Sequence, residues 1–474
     1  MFALAVRVAL LAFNQSFIAL DPYWSWQART GLILALSNFG ATPLGTAFET
    51  LHHMSVEGAM AGWPAMDRGL VYVHMLLKFV FGTTSYELLQ AFQIFIDALL
   101  VFPLMSIAYS LSQNHKIAWS VGLLYGAFLP QAWLAVQPDY NVWLTTGYIL
   151  ATWLYLKIIA LAPGEHRWRS LVLYAAALFG VMFAVNQIRS TIILLPIGMA
   201  AWWWATTLLT TRSLVFPRRN WPSALALLGV GVLVIGISGA LNKTVRSYAS
   251  PVRSTFGHAF WTGVGQFKNP YGLRDDDGSV VEFYKNETGI EETDSTTGGV
   301  AYNAWLRQRA VQFIKKYPVL YASMVARRAA AIIFPNMPFT VVADKPAYDR
   351  TPIELARTKH RIELQQRYGK LSPTTISRLI SEDPFYVVGL FGRLALMLLL
   401  PLGGVLFFVF SQYRALGLLT IVPLAYHVIT LSPVYATPII LIPGYAAILP
   451  VVGIGWWLAL QKSFTILRNV HRAP

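Results

Sequence analysis

The stretch Val387-Val388-Gly389-Leu390-Phe391-Gly392-Arg393-Leu394-Ala395-Leu396-Met397-Leu398-Leu399-Leu400-Pro401-Leu402-Gly403-Gly404-Val405-Leu406-Phe407-Phe408-Val409-Phe410 decides the fold class. Its one charge is Arg393, and everything else is apolar, Gly or Pro. A helix crosses the hydrocarbon core of a bilayer in about 20 apolar residues, and this run is long enough. Nine more apolar runs read the same way: Met1–Leu20, Tyr86–Leu111, Ile117–Val136, Val142–Leu161, Ser170–Val185, Thr191–Leu209, Ser223–Leu241, Ala415–Leu431 and Ile439–Leu460. Together they predict an all-α polytopic membrane protein with about ten transmembrane helices. Met1–Leu20 is read as a span, because Asp21-Pro22 follows at once without a small-residue cleavage pattern.

Composition agrees. Of 474 residues, 55% are hydrophobic and only 12% charged. A soluble domain carries about twice that charged share, and a disordered chain needs low hydrophobicity. The chain has no Cys, which excludes disulfides, Cys-type zinc sites and thiol catalysis. The 37 Lys and Arg against 22 Asp and Glu leave a net charge of +15. Nucleic-acid binding is not the reading, because the basic residues sit in short loops between apolar runs. His115 and Lys116, Arg167 and Arg169, Arg218 and Arg219, Arg414, and Lys462 with Arg468 fall on one side of a ten-span chain. That side is predicted to be cytoplasmic. The expected place is a bacterial inner membrane, with the opposite face toward the periplasm.

The organisation follows. Residues 1–241 form an N-terminal transmembrane module with a first outer loop at 21–85. Residues 242–385 form one long outer (periplasmic) region, and 386–474 return to the membrane. Trp26–Leu36, Leu44–Met60 and Leu70–Phe81 are too short to span and read as outer juxtamembrane helices. Helices are expected near Ala304–Tyr317 and Leu320–Phe334. Arg327 and Arg328 in the second argue against a crossing, at a cost of about 2.5–3.5 kcal/mol each at the bilayer centre.

Candidate chemistry collects on the outer side. Asp21 ends the first span and Asp139 lies between the third and fourth, at the same depth. Carboxylates at the membrane edge, among Trp and Tyr, can act as bases. Each also has the plainer reading of a helix N-cap. Arg189 stands at the outer end of the fifth span, where its planar fork suits phosphate. Snorkelling is its plainer reading. Arg327, Arg328 and Lys78 are further phosphate candidates. Gly257-His258-Ala259-Phe260-Trp261 and Lys268-Asn269-Pro270-Tyr271 mix aromatic and polar residues as sugar sites do. Asp275-Asp276-Asp277 is open to a divalent cation or to a solvated turn, and no cofactor or metal is assigned. Asp97, inside the second span, calls for a partner within the bundle. The chain holds no Gly-rich phosphate loop, no His-Glu-x-x-His and no Ser-centred elbow.

Leu20-Asp21-Pro22-Tyr23 with Ala28-Arg29, then Gly62-Trp63-Pro64, Lys78-Phe79-Val80-Phe81-Gly82, the Pro130 to Asp139 loop, Arg189, Phe313 to Tyr321, and Val434-Tyr435-Ala436-Thr437-Pro438 occur in this order. In that order the chain resembles the GT-C glycosyltransferases, especially the bacterial relatives of the protein O-mannosyltransferases and the lipid A aminoarabinose transferase. It departs from them at Pro22, where the family often has a second acid, and at Val434, where it often has Arg. The resemblance implies an enzyme that moves a sugar from a polyprenyl-phosphate donor to a glycan, lipid or protein acceptor at the outer face, with inversion. It implies Asp21 and Asp139 as catalytic carboxylates, and Arg189, Arg327, Arg328 and Lys78 at the donor phosphate. Tyr23, Tyr140, His258, Trp261 and Tyr435 are the expected sugar or acceptor contacts. Two other readings remain: a surface-polysaccharide polymerase or ligase with a polyprenyl-diphosphate donor, and a transporter without covalent chemistry.

Overall fold

The computed structural model describes residues 1–13, 68–83, 85–136, 140–161, 167–188, 190–211, 220–245, 256–290, 300–337, 363, 373–382, 384–436 and 438–470. Among these the protein is all helical, with no strand. The elements in chain order are α1 (Phe2–Phe13), α2 (Arg68–Phe81), α3 (Tyr86–Leu99), α4 (Val101–Ser112), α5 (His115–Gly126), α6 (Leu129–Ala135), α7 (Tyr140–Ile159), α8 (Arg167–Ile188), α9 (Leu195–Thr211) and α10 (Trp221–Val245). Then follow α11 (Phe256–Gly265), α12 (Asp277–Thr288), α13 (Val300–Lys316), α14 (Pro318–Ile333), α15 (Pro373–Glu382), α16 (Pro384–Phe410), α17 (Arg414–Thr420), α18 (Val422–Leu431) and α19 (Pro438–Val470).

Six stretches are long and apolar enough to cross a membrane: Glu87–Ser112, Tyr140–Ile159, Arg167–Ile188, Trp221–Ala240, Val387–Phe410 and Ile440–Ile466. The protein is a polytopic membrane protein on that basis. Two expected spans are bent pairs. α5 and α6 meet at 56°, and α17 and α18 at 47°, so the total rises to eight if each pair is one span. The bends have a local cause. Pro130 and Pro423 open α6 and α18, and proline cannot donate the hydrogen bond that would continue the preceding helix. Among the described residues the expected count of ten is not shown. α9 has 17 residues, about 25 Å at 1.5 Å per residue, and α1, in the first run, has 12. α14 is not among the crossing helices either.

The helices pack into two cores. The larger is an aliphatic bundle of α4, α5, α7–α10 and α16–α19, with Leu104, Leu178, Leu195, Ile442 and Leu449 fully buried. α16 lies against α19 at Gly403 and Gly455, where a methyl group on Gly455 would strike the Gly403 carbonyl. Close backbone approach at small residues is how helices associate when lipid supplies no hydrophobic drive between them. The smaller core is a cap built by α11–α14. It is aromatic, with Phe260, Trp261, Tyr284, Tyr302 and Phe313 buried together. α14 joins the two. Its stripe Met324, Arg328, Ile332 repeats every four residues and is buried. Met324 belongs to the cap and Ile332 to the bundle. Tyr445 of α19 places its hydroxyl 2.8 Å and 2.7 Å from the carbonyls of Ile332 and Ile333, at the end of α14.

Candidate functional site

Asp21, Tyr23, Asp139 and Arg189 lie outside the described residues. The other expected site residues fall into two groups.

The first group surrounds a small apolar cluster at one end of the bundle. Val73 and Leu77 of α2, Leu89 of α3 and Ile188 of α8 are buried together, with Phe92, Tyr140 and Trp143 packed on them. Lys78 follows Leu77 and is half-buried, Tyr140 begins α7, and Ile188 immediately precedes Arg189. The cluster thus gathers α2, α3, α7 and α8, with Lys78 next to Leu77 and Tyr140 at the start of α7. The indole N–H groups of Trp133 and Trp143 are buried nearby in sequence without a hydrogen-bond partner among the described residues.

A buried polar network centres on Asp97. Arg7 Nε donates to Asp97 Oδ2, and both side chains are fully buried. Tyr125 Oη and Gln131 Nε2 each donate to Asp97 Oδ1 at 2.6 Å. Thr145 Oγ1 donates to Gln131 Oε1 at 2.9 Å. Arg7 also donates to the carbonyls of Ala3, at 3.0 Å, and Gly126, at 3.2 Å, and stands over the Tyr125 ring. Five helices, α1, α3, α5, α6 and α7, are tied by these bonds. A fuller sequence signal exists: Gln90, Gln93 and Asp97 are spaced i, i+3, i+7, one polar face inside an apolar span. Arg7 is the one charge in α1, and so is Asp97's natural partner.

Beside this network, Phe2, Leu99, Phe102, Met105, Trp119 and Leu123 line an apolar cavity of about 400 Å³ between α1, α3, α4 and α5.

The second group lies at the seam between cap and bundle. His258 sits on α11, its Nε2 2.9 Å from Asp277 Oδ1 and its Nδ1 2.9 Å from Tyr302 Oη. The bond to His258 holds the Asp277 carboxyl below its ordinary value. Trp261 is buried, 1% exposed, and donates to the Leu306 carbonyl at 2.9 Å. It is therefore a core residue, and this corrects its expected role as a sugar contact. Arg328 is 3% exposed. Its guanidinium donates to Gly263 O at 2.6 Å, Ser432 O at 3.0 Å and Gln266 Oε1 at 3.2 Å. Burial pushes it down to about 10, opposed by Tyr321 and Asp275, so it stays charged at neutral pH. Arg328 thus clamps the 432–436 segment to the cap, where the expectation was a phosphate ligand. Gly263 makes that contact possible, since any Cβ there would strike the Val434 carbonyl. Arg327, one residue earlier, is exposed, over the Phe267 ring at 5.9 Å.

Tyr435 lies in the clamped segment, which the Gln266 amide also holds by donating to the Ala436 carbonyl at 2.9 Å. Partial desolvation raises the Asp275 carboxyl above its ordinary value, Gln266 and Tyr435 oppose the rise, and Asp277 and Asp276 add to it. Among the described residues no group of three or more His, Asp or Glu side chains is placed to hold a metal ion.

No protein-family model matches the chain, and no curated protein matches it.

Proposed function

We propose that the protein is a glycosyltransferase of the bacterial inner membrane that moves a sugar from a polyprenyl-phosphate donor to an acceptor at the periplasmic face. The observation that carries this reading is the clustering at one end of the bundle. Leu77, which precedes Lys78, Tyr140, which follows Asp139, and Ile188, which precedes Arg189, share one small apolar cluster. A cationic, aromatic rim above a lipid-facing bundle suits a phosphate whose tail remains in the bilayer.

The reaction asks for little. The phosphate is already a competent leaving group, so the protein must deprotonate an acceptor hydroxyl and stabilise the charge that grows on the departing phosphate. Asp21 and Asp139 are the carboxylates for the first task, and Arg189 with Lys78 the cations for the second. Arg327 remains exposed and joins that set from the cap, whereas Arg328 is engaged in the clamp. An apolar cavity beside α1 offers room for part of a polyprenyl chain. No metal or cofactor enters this scheme.

Buried intramembrane charges such as the Arg7–Asp97 pair are also a feature of transporters. Its bonds to Tyr125, Gln131 and two carbonyls favour an assembly contact over a moving carrier. A ligase or polymerase reading differs in the donor, a polyprenyl diphosphate.

Steady-state kinetics with a polyprenyl-phosphate sugar test the roles. Asp21→Asn should lower kcat by about 10²–10⁴, the range of a general base. Arg189→Lys should lower kcat more than it raises KM, because the lost second bond acts on developing charge. Normal turnover in both variants would remove the proposed site.

A further inference from the structure

α16 carries one charge, Arg393, and the helix pattern shows which way it faces. Phe391, Ala395, Leu398, Leu402, Val405 and Val409 recur at steps of four and three and are all exposed, so they form the lipid face. The opposite face repeats in the same rhythm as Gly389, Arg393, Leu396, Leu400, Gly403 and Phe407. On it Gly389, Leu400, Gly403 and Phe407 are buried, and Leu396 packs on the bundle core. Arg393 therefore belongs to the packed face, six residues into the span Val387–Phe410, or about 9 Å along the helix. Gly455 meets Gly403, and Lys462 lies over the Phe410 ring at 4.5 Å. These two pairs keep the same offset, so α16 and α19 run parallel. The offset sets Arg393 level with Tyr445, whose hydroxyl bonds the end of α14. Arg393 thus stands at the cap end of the bundle.

Arg7 and Arg328 are satisfied by protein oxygens; Arg393 is not. Its Nε is enclosed without a hydrogen-bond partner, whereas its two terminal nitrogens are not enclosed and also have none among the described residues. The residue as a whole is half-buried. The helices packed chiefly against α16 are α15, α17 and α19. α16, α17 and α19 hold no Asp or Glu, and α15 holds only Glu382, its last residue, well above Arg393. A guanidinium inside a span needs an anion, and these neighbouring helices place none at its depth.

The anion that fits comes from the bilayer. A lipid phosphate lies just outside the hydrocarbon, within reach of a long Arg stem near the end of a span. The planar fork matches two phosphate oxygens, and the lipid's own tails take up the apolar face beside it. We propose that Arg393 anchors a lipid-phosphate site beside α19 at the cap end of the bundle, occupied by an anionic membrane lipid whose tails lie along the exposed face of α16. Such a site requires no transferase activity.

The test uses the full chain in neutral detergent micelles, with lipid binding read by native mass spectrometry. Phosphatidylglycerol and a polyprenyl phosphate are the probes, and zwitterionic phosphatidylcholine is the comparison. At least one anionic probe should bind the wild type more tightly than phosphatidylcholine, and the tighter of the two identifies the kind of tail. Arg393→Met should weaken that binding about 10- to 100-fold, the size of hydrogen bonds to a charged group. Lys462→Gln, exposed toward the far end of α19, should not. Excess inorganic phosphate should leave the lipid bound. Without lipid, Arg393→Met should melt no lower than the wild type, because no internal partner is lost. Four results would each overturn the proposal: equal binding by Arg393→Met, no preference for an anionic probe, displacement by inorganic phosphate, or a lowered midpoint in the lipid-free variant.

Discussion

Arg7 and Arg328 are both buried, 0% and 3% exposed, yet they are neutralised in different ways. Arg7 meets a carboxylate, Asp97. Arg328 meets three neutral oxygens, those of Gly263, Ser432 and Gln266. The difference follows from where each side chain stands. In the middle of a helical bundle nearly every carbonyl is already used by the helix ladder, so a guanidinium needs a counter-charge. At the seam, α11 and α18 end, and the carbonyls of their last turns lack the full i+4 ladder, Gly263 O keeping only the Gln266 N–H at 3.2 Å. A cation placed there satisfies them and meets the negative ends of two helix dipoles. One arginine closes the bundle against itself; the other fastens the cap to the loop before the last helix.

This contrast can be broken most severely at Asp97. Asp97→Leu leaves Arg7 charged and unpaired, and should cost about 3–5 kcal/mol. The double variant Arg7→Met with Asp97→Leu should recover most of that loss, because an ion pair replaced by apolar groups is often neutral or better. Thermal unfolding in detergent measures both, and a double variant as unstable as the single one would break the account of the pair. Arg328→Met comes next. It strips a donor from two helix ends and one amide, at about 2–3 kcal/mol. The loss should be local: faster hydrogen exchange in the peptides covering 263–267 and 432–436, with the bundle unchanged. Uniform loosening of the bundle would show that Arg328 acts beyond the seam.

A smaller effect is expected at His258. Asp277 has its carboxyl lowered in the folded protein, so its contribution to stability is present above the unfolded value, about 3.9, and is lost as pH falls through the lower folded value. Asp277 is 65% exposed, which screens the pair to about 0.5 kcal/mol. Asp277→Asn should therefore matter little at pH 7, and should remove a shallow loss of cap stability below about pH 4. A large effect at neutral pH would mean that the Asp277–His258–Tyr302 chain does more than join three helices.

Most of the architecture is legible in the sequence because long apolar runs leave a helix few alternatives. Val387–Phe410 and Tyr140–Ile159 are where the runs place them. The breaks at Pro130 and Pro423 are less legible, since a proline at the start of a helix and one inside a span look alike in sequence. Trp261 and Arg328 mislead for a related reason. Residue type records what a side chain is able to bind, whereas burial decides what it does bind, and both are enclosed by the cap. Arg7 reads as a single interruption in an apolar run. Its role exists only through contacts across α3, α5 and α6, which no local pattern encodes.

The central claim is tested most directly by giving the purified, nanodisc-embedded protein two labelled donors, a polyprenyl-phosphate sugar and a polyprenyl-diphosphate sugar, with an extract of envelope glycans as acceptor. The account predicts release of polyprenyl phosphate, with the label passing to the extract and the anomeric centre inverted, from the monophosphate donor alone. Turnover of the diphosphate donor instead, or of neither donor, would contradict it.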